Sequence, residues 1–148
     1  MSSGWRNDYK GDVTASEAYA LAESEPKAQI IDVRTKPEWA YVGIPDLSGA
    51  GKEVILAEWQ RYPGMEVATD FVETLERELE RRGAGREDTL LFLCRSGVRS
   101  LAAAQAMMAA GWHNSRNIAG GFEGPPNSER HRGAIEGWKA EGLPWVQS

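Results

Sequence analysis

The stretch Leu90–Ser100, LLFLCRSGVRS, decides the fold. It begins inside a run of strand-forming residues, Thr89–Leu93, which is typical of a strand buried on both faces of a parallel sheet. The run stops at Cys94, the only cysteine of the chain. After a short loop, small residues over Leu101–Ala110 predict a helix that packs closely on the sheet and ends at Gly111. Strand, loop and helix in this order predict one β–α unit.

Strand-like and helix-like segments alternate along the rest of the chain. Two capping boxes, in which a hydroxyl precedes a carboxylate by three residues, predict a helix from about Ala15 to Ser24 and a short helical turn after Thr35. Apolar residues at helical spacing predict a further helix from about Thr69 to Arg82. The remaining predictions are strands over Ala28–Val33, Val54–Ala57 and Asn117–Ala119, a loop over Trp59–Gly64, and a C-terminal helix with a docked end at Trp138 and Leu143–Trp145.

This alternation predicts an α/β domain with a mostly parallel sheet that helices cover on both faces. The chain has 148 residues and 41% hydrophobic composition, which suits a single domain, residues 1–148, with one core. It contains no repeat, low-complexity tract or linker. In such sheets, ligands bind beyond the carboxyl ends of the strands. Cys94 lies at one of these ends.

Composition excludes several classes of function. A net charge of -5 argues against nucleic acid or an anionic membrane as the main partner, since both select a basic surface. A single cysteine forms no internal disulfide, Met1–Lys10 holds no apolar signal segment, and no run of about 18 apolar residues occurs. We therefore expect a cytoplasmic protein. His113 and His131 lack ligand spacing, so we expect no metal.

The residues around Cys94 point to chemistry. A thiol is a poor nucleophile until it ionises, and positive charge at a helix N-terminus lowers the pKa of a thiol. Arg95 and Arg99 flank this cysteine, and Gly97 allows the backbone to curl so that its N–H groups face inward. The pattern predicts a cradle for a sulfur-centred anion, or for a small oxyanion that the sulfur attacks. The alternative is that Cys94 is a small buried hydrophobe, which would not need such neighbours.

Four motifs follow one another in a characteristic order. They are Ile31-Asp32-Val33-Arg34 followed by Glu38-Trp39, Cys94-Arg95-Ser96-Gly97-Val98-Arg99-Ser100, Asn117-Ile118-Ala119-Gly120-Gly121-Phe122, and Gly137-Trp138 with Gly142-Leu143-Pro144. In this order and spacing the chain resembles the single-domain rhodanese-like sulfurtransferases, over about residues 9–145. One segment departs from the family pattern. The family usually has a Gly-His-Ile-Pro-Gly-like sequence where this chain has Val42-Gly43-Ile44-Pro45-Asp46, so no role is carried over from that histidine.

The resemblance implies a central parallel sheet of about five strands flanked by helices, and a two-step reaction without a cofactor. Cys94 as a thiolate would attack the outer sulfur of a donor such as thiosulfate and release sulfite. The resulting persulfide would pass its sulfur to cyanide or a thiol, including the thiol of a protein acceptor.

Each residue of the loop has a task under this hypothesis. Arg99 is the first choice for binding the sulfonate of the donor, since a guanidinium matches an oxyanion bidentately. Arg95 either does the same or points to solvent. Asp32 and Arg34 are expected to support the loop structurally. The backbone amides expected to hold the persulfide are those of Arg95, Ser96, Gly97, Val98, Arg99 and Ser100.

Three alternatives remain open. Phosphatases and arsenate reductases of the same broad fold place the arginine six residues after the cysteine, whereas Arg99 follows Cys94 by five, and the tighter loop suits a sulfur atom better. A non-enzymatic binding module commonly lacks the cysteine. A protein-to-protein sulfur relay would use the same residue. The segment Gly121–Gly133 is either a lid or docking loop or a mobile solvated insertion.

Overall fold

Strands and helices alternate along the chain in this computed structural model, which describes residues 11–147. In chain order the elements are α1 (Ala15–Ser24), β1 (Gln29–Asp32), α2 (Lys36–Tyr41), β2 (Ile44–Pro45), a 3-10 helix (Ser48–Ala50), β3 (Ile55–Leu56), β4 (Gln60–Arg61), β5 (Glu66–Val67), α3 (Phe71–Arg81), β6 (Leu90–Leu93), α4 (Val98–Ala109), β7 (Ser115–Asn117) and β8 (Trp145–Val146). Residues 1–10 and Ser148, which we assigned to the same domain, lie outside the described residues, as does the start of the resemblance at Tyr9.

The central sheet has four parallel strands in the order β3-β1-β6-β7. Ile31 of β1 pairs with Ile55 on one side and with Phe92 on the other, and Phe92 in turn pairs with Asn117 of β7. Beyond β7, a single parallel bridge joins Val13 to the chain at residue 118. The predicted α/β fold is confirmed. Four strands and one bridge occupy the places where about five strands were expected.

Helices pack on both faces of this sheet. Apolar residues of α3 and α4, together with Ile31 and Val33, form a buried cluster on one face. On the other face, Ile30 packs in a second cluster with alanines of α1 and with Phe122 and Trp138 from the C-terminal third. Full burial of a large apolar side chain stabilises a fold by about 1.5–3 kcal/mol. These two clusters therefore stabilise the sheet, and with it the position of the end of β6 at which Cys94 lies.

Three segments differ from the sequence prediction. The strand predicted over Asn117–Ala119 lies two residues earlier, as β7. Residues 59–64, predicted as a loop, contain β4, which forms an antiparallel hairpin with β5. The predicted C-terminal helix is wrong, because residues 134–142 form turns and bends and the chain then pairs β8 with β2. Gly137 and Gly142 have φ values of 105° and 74°, which a right-handed helix does not accommodate. No helix within residues 11–147 is both long enough and apolar enough to cross a membrane.

Candidate active site

Cys94 lies directly after β6, at the carboxyl end of the central sheet. Its side chain is buried. The N–H of Gly97 donates a hydrogen bond to Cys94 Sγ at 3.1 Å. Gly97 is the N-cap of α4 and has a φ of 115°, a conformation that glycine adopts without strain. The sulfur thus faces a backbone donor at the positive end of a helix, which is an environment that favours a sulfur-centred anion.

The backbone of residues 122–124 binds the Cys94 loop through hydrogen bonds. The N–H of Phe122 donates to the carbonyl oxygen of Cys94 at 2.8 Å. The N–H groups of Glu123 and Gly124 both donate to the carbonyl oxygen of Arg95, at 3.0 Å each. Three hydrogen bonds to two consecutive carbonyls fix the backbone of the loop. The Gly97 amide that faces the sulfur is therefore preorganised rather than brought into place when a ligand binds.

Ser100 and Asn117 form a buried polar pair next to the sulfur. Ser100 Oγ lies 3.2 Å from Cys94 Sγ and 2.5 Å from Asn117 Oδ1. Ser100 is completely buried in the first turn of α4, and Asn117 is 3% exposed at the end of β7. The loop, the helix and the neighbouring strand therefore all contribute an atom to the surroundings of Cys94.

Arg99 is paired with Glu38 of α2. Its Nη1 and Nη2 donate to the two carboxylate oxygens of Glu38 at 2.8 and 3.1 Å. Burial raises the pKa of Glu38, but hydrogen bonds from Arg99 and from the Thr35 amide outweigh burial and lower this pKa to about 2. Glu38 is therefore ionised throughout the neutral range. An anionic donor that binds Arg99 has to share the guanidinium with this carboxylate.

An open cleft of about 480 Å³ lies over this pair. It is lined by Glu38, Val42, Gln60, Met65, Arg95, Arg99, Glu123 and Arg132. Three arginines face two glutamates there, so the lining has a net positive charge although the whole chain carries -5. Arg95 is exposed and Arg99 is largely buried. The cleft is thus a local environment that attracts a small anion.

Asp32 and Arg34 form a completely buried ion pair. Arg34 Nε and Nη2 donate to the two carboxylate oxygens of Asp32 at 2.9 and 2.7 Å, and Nη2 also donates to the carbonyl oxygen of Gly43. The guanidinium lies 4.3 Å from the ring centroid of Phe122, whose N–H holds Cys94. This geometry connects the pair to the loop through Phe122. Its supporting role stays a prediction.

The segment 121–133 is folded back on itself. Its first residues hold the loop, and the Gly133 N–H donates to the carbonyl oxygen of Glu123 while Arg132 Nη1 donates to that of Gly124, both at 2.6 Å. A turn follows between these anchors, in which the Asn127 N–H donates to the carbonyl oxygen of His131. The two ends of the segment, residues 122–124 and 132–133, therefore lie at the site. Of the two arginines in this segment, Arg132 lines the cleft and Arg130 does not.

The sequence did not reveal three of these features. Glu38 was noted only for its capping box and as part of a motif, Asn117 only as part of a motif and of a predicted strand, and Met65 not at all. The acid in the capping box, three residues after Thr35, is the signal that could have identified Glu38. Within residues 11–147, no group of three or more His, Cys, Asp or Glu side chains is placed to hold a metal ion. The expectation that the protein needs no metal stays a prediction.

Comparison with known families agrees with this geometry. The model of the rhodanese-like domain matches residues 14–124, which contain β1, α2, the whole Cys94 loop and the segment that holds it. The chain belongs to the rhodanese-like family. A rhodanese-like domain therefore accounts for the sheet, for the helices on both faces and for the position of the cysteine. The resemblance read from the sequence is confirmed.

Relatives of this rhodanese-like protein span almost its whole length. An uncharacterized protein of Rickettsia conorii is 35% identical over 134 residues, which are 90% of this chain and 95% of that protein. A crystal structure of a protein from M. tuberculosis has 40% identity and a TM-score of 0.84, and the match covers 95% of this chain and 99% of that one. The polysulfide-sulfur transferase of Wolinella succinogenes shares the fold, with 21% identity, a TM-score of 0.58, and coverage of 95% and 80%.

Proposed function

We propose that this protein is a sulfurtransferase that moves a sulfane sulfur from thiosulfate, or a similar small sulfur-containing anion, to cyanide or a thiol through a persulfide on Cys94. The observation that carries the proposal is the position of Cys94 Sγ, 3.1 Å from the Gly97 amide at the N-terminus of α4. An amide donor and a helix dipole stabilise sulfur-centred anions. The family and the arginine-lined cleft support the same function.

The proposed reaction has two steps. In the first, the Cys94 thiolate attacks the outer sulfur of thiosulfate; the new S–S bond forms at Sγ, and the S–S bond to the sulfonate breaks. Sulfite leaves with the electron pair of that bond. In the second, the carbon of cyanide attacks the terminal sulfur, thiocyanate leaves, and the Cys94 thiolate returns. No net oxidation or reduction of the protein occurs, and the loop amides stabilise the anion in both states.

The protein-to-protein sulfur relay is the second candidate, and one observation favours it. Val98, the first residue of α4, is 77% exposed although it is apolar, and Arg95 of the Cys94 loop is exposed as well. A protein acceptor could therefore contact the loop directly. A phosphatase, an arsenate reductase and a non-enzymatic module are weaker candidates, on the spacing and presence of the cysteine. The proposed chemistry needs a reduced thiol, which the cytoplasm provides, and we propose that compartment.

The test of the proposal is the intact mass of the pure protein after incubation with thiosulfate. Wild-type protein is expected to gain one sulfur atom, and cyanide is expected to remove it. Because the chain has one cysteine, Cys94→Ser is expected to gain nothing. A wild-type protein that gains no sulfur would refute the thiosulfate reaction. A gain that persists in Cys94→Ser would refute the Cys94 persulfide.

Arg99 is expected to bind the sulfonate of the donor. Arg99→Ala should raise the KM for thiosulfate by roughly 10- to 100-fold, since a hydrogen bond to a charged group contributes about 1.5–3 kcal/mol. Removing Arg99 would also leave Glu38 without its counter-charge beside the cleft, where the carboxylate repels the anionic donor. Steady-state kinetics with the double variant Arg99→Ala/Glu38→Gln separate these effects, because that variant lacks both charges.

Glu38→Gln is the matched control for Arg99. It frees the guanidinium from its carboxylate partner, so the KM for thiosulfate should stay the same or fall. The double variant should keep the part of the raised KM that comes from losing the guanidinium, so its KM should stay above that of the wild type. If the double variant instead recovers the wild-type KM, Arg99 serves only to neutralise Glu38, and its assignment as the sulfonate-binding residue is wrong.

A further inference from the structure

The Ser100 hydroxyl lies between two acceptors and has one proton to donate. Its Oγ is 2.5 Å from Asn117 Oδ1 and 3.2 Å from Cys94 Sγ. Two oxygen atoms at the shorter distance require a proton between them, because otherwise their lone pairs repel each other. The Ser100 proton therefore points to Asn117. The lone pairs of Ser100 Oγ are left facing the sulfur.

This orientation of the Ser100 hydroxyl, with its lone pairs toward the sulfur, suits some chemical states of Cys94 and not others. A protonated thiol can donate its own S–H to Ser100 Oγ. In a persulfide, Sγ is a neutral bridging atom, which needs no proton donor. A thiolate at Sγ is an acceptor only, and the lone pairs of Ser100 would face it without a proton between them. As long as Asn117 holds the Ser100 proton, the thiolate lacks one of the two donors that lie within reach of Sγ.

Asn117 is held firmly in this position. Its backbone belongs to β7 and pairs with Phe92 of β6, the strand that leads to Cys94. The carbonyl oxygen of Asn117 accepts a hydrogen bond from the Val13 N–H at 2.9 Å. A Cβ placed on Gly97 would lie 3.6 Å from Asn117 Nδ2, so the amide group also lies beside the glycine that donates to the sulfur. The amide thus lies at the junction of the loop, α4 and β7.

We propose that Asn117 is a positioning residue, which acts through Ser100 to withhold a hydrogen bond from Cys94 Sγ and so sets the pH at which Cys94 becomes reactive. The proposal rests on Cys94 as the nucleophile of the proposed function. Its readout, however, needs no sulfur donor, because alkylation by iodoacetamide measures the thiolate directly. A protein that alkylates as expected but takes no sulfur from thiosulfate would refute the function and leave this inference intact.

The first experiment measures the rate of Cys94 alkylation by iodoacetamide against pH in wild type and in Asn117→Leu. Leucine has a similar volume and no acceptor, so the Ser100 proton becomes available to the sulfur. We expect the midpoint of the pH profile to fall by about one unit, the size of one hydrogen bond to a charged group. In a Ser100→Ala background, Asn117→Leu should leave the midpoint unchanged. An unchanged or higher midpoint in Asn117→Leu, or an equal shift without Ser100, overturns the proposal.

A second variant keeps the proposal falsifiable if Asn117→Leu does not fold. Ser100→Ala alone should leave the midpoint unchanged or lower it, because Ser100 gives its proton to Asn117 and not to the sulfur. If Ser100 instead donates to the thiolate, Ser100→Ala raises the midpoint, and the proposal is wrong. Ser115→Ala is the matched control. Ser115 is a buried serine of β7, the strand that contains Asn117, and its Oγ donates to the carbonyl oxygen of Trp112 at 2.9 Å. Loss of the Ser115 hydroxyl should not move the midpoint.

Discussion

Replacement of Asp32 by alanine is expected to lower the free energy of unfolding by about 3–5 kcal/mol, because it leaves a buried guanidinium without its counter-charge. Asp32 and Arg34 are both 0% exposed. Without the carboxylate, Arg34 would keep one described hydrogen bond, to the carbonyl oxygen of Gly43. Its Nη1 already has no hydrogen-bond partner in the described structure. Urea unfolding followed by the fluorescence of the six tryptophans measures the loss.

Asp70→Ala is the matched control for this prediction. Asp70 also pairs with an arginine, Arg61, at 2.6 Å, but the two side chains are 52% and 56% exposed. Removing an exposed pair costs about 0–1 kcal/mol, since water solvates both charges. If Asp32→Ala costs no more than Asp70→Ala, the buried pair does not stabilise the fold as we describe. Asp32→Asn, which keeps one oxygen acceptor, should lie between the two.

The parts of the fold that the sequence predicted best have local signals. Thr14 and Glu17 form the two reciprocal hydrogen bonds of a capping box, and α1 extends over Ala15–Ser24, the bounds expected from the sequence. The unbroken apolar run before Cys94 likewise became a strand, β6, buried at each of its residues. In both cases the residues that carry the signal also make the contacts that stabilise the element.

Short exposed strands gave no such signal. β4 and β5 have two residues each, and neither contains a buried residue. Alternation between apolar and polar residues cannot be recognised over two positions, so the hairpin was missed. The C-terminal segment failed for a different reason. Trp138 is completely buried in the cluster that contains the alanines of α1 and Phe122. This tertiary packing fixes the position of Trp138 without a helix.

The same distinction applies to the site. Cys94, Gly97 and Arg99 lie within one short segment, and the structure brings them together as the segment suggested. Glu38 lies 61 residues from Arg99, and Asn117 lies 17 residues from Ser100. These contacts depend on which elements the fold makes adjacent, and no local pattern encodes that. The placement of the loop residues around Cys94 was therefore readable from the sequence, whereas the contacts with Glu38 and Asn117 were not.

Gly121→Ala is expected to have the second large effect on folding, about 3 kcal/mol or more, because a steric overlap adds to an unfavourable backbone conformation, and to change the alkylation rate of Cys94. Gly121 has a φ of 61°, which costs an alanine about 1–2 kcal/mol. An added Cβ would lie 2.4 Å from the carbonyl oxygen of Cys94 and 2.7 Å from the carbonyl carbon of Arg95. These are backbone atoms, so no side-chain rotation relieves the overlap, and the loop has to move. Urea unfolding and the alkylation rate at one pH measure the two effects.

Gly142→Ala separates the overlap from the backbone conformation. Gly142 has a similar φ of 74°, but a Cβ there would meet nothing within 4 Å. Its replacement should therefore cost only the conformational part, about 1–2 kcal/mol, and should leave the alkylation of Cys94 unchanged. The difference between the two variants is the energy of displacing the active loop from the segment that holds it. If that difference is zero, the loop is free to shift, and the three hydrogen bonds from residues 122–124 do not preorganise it.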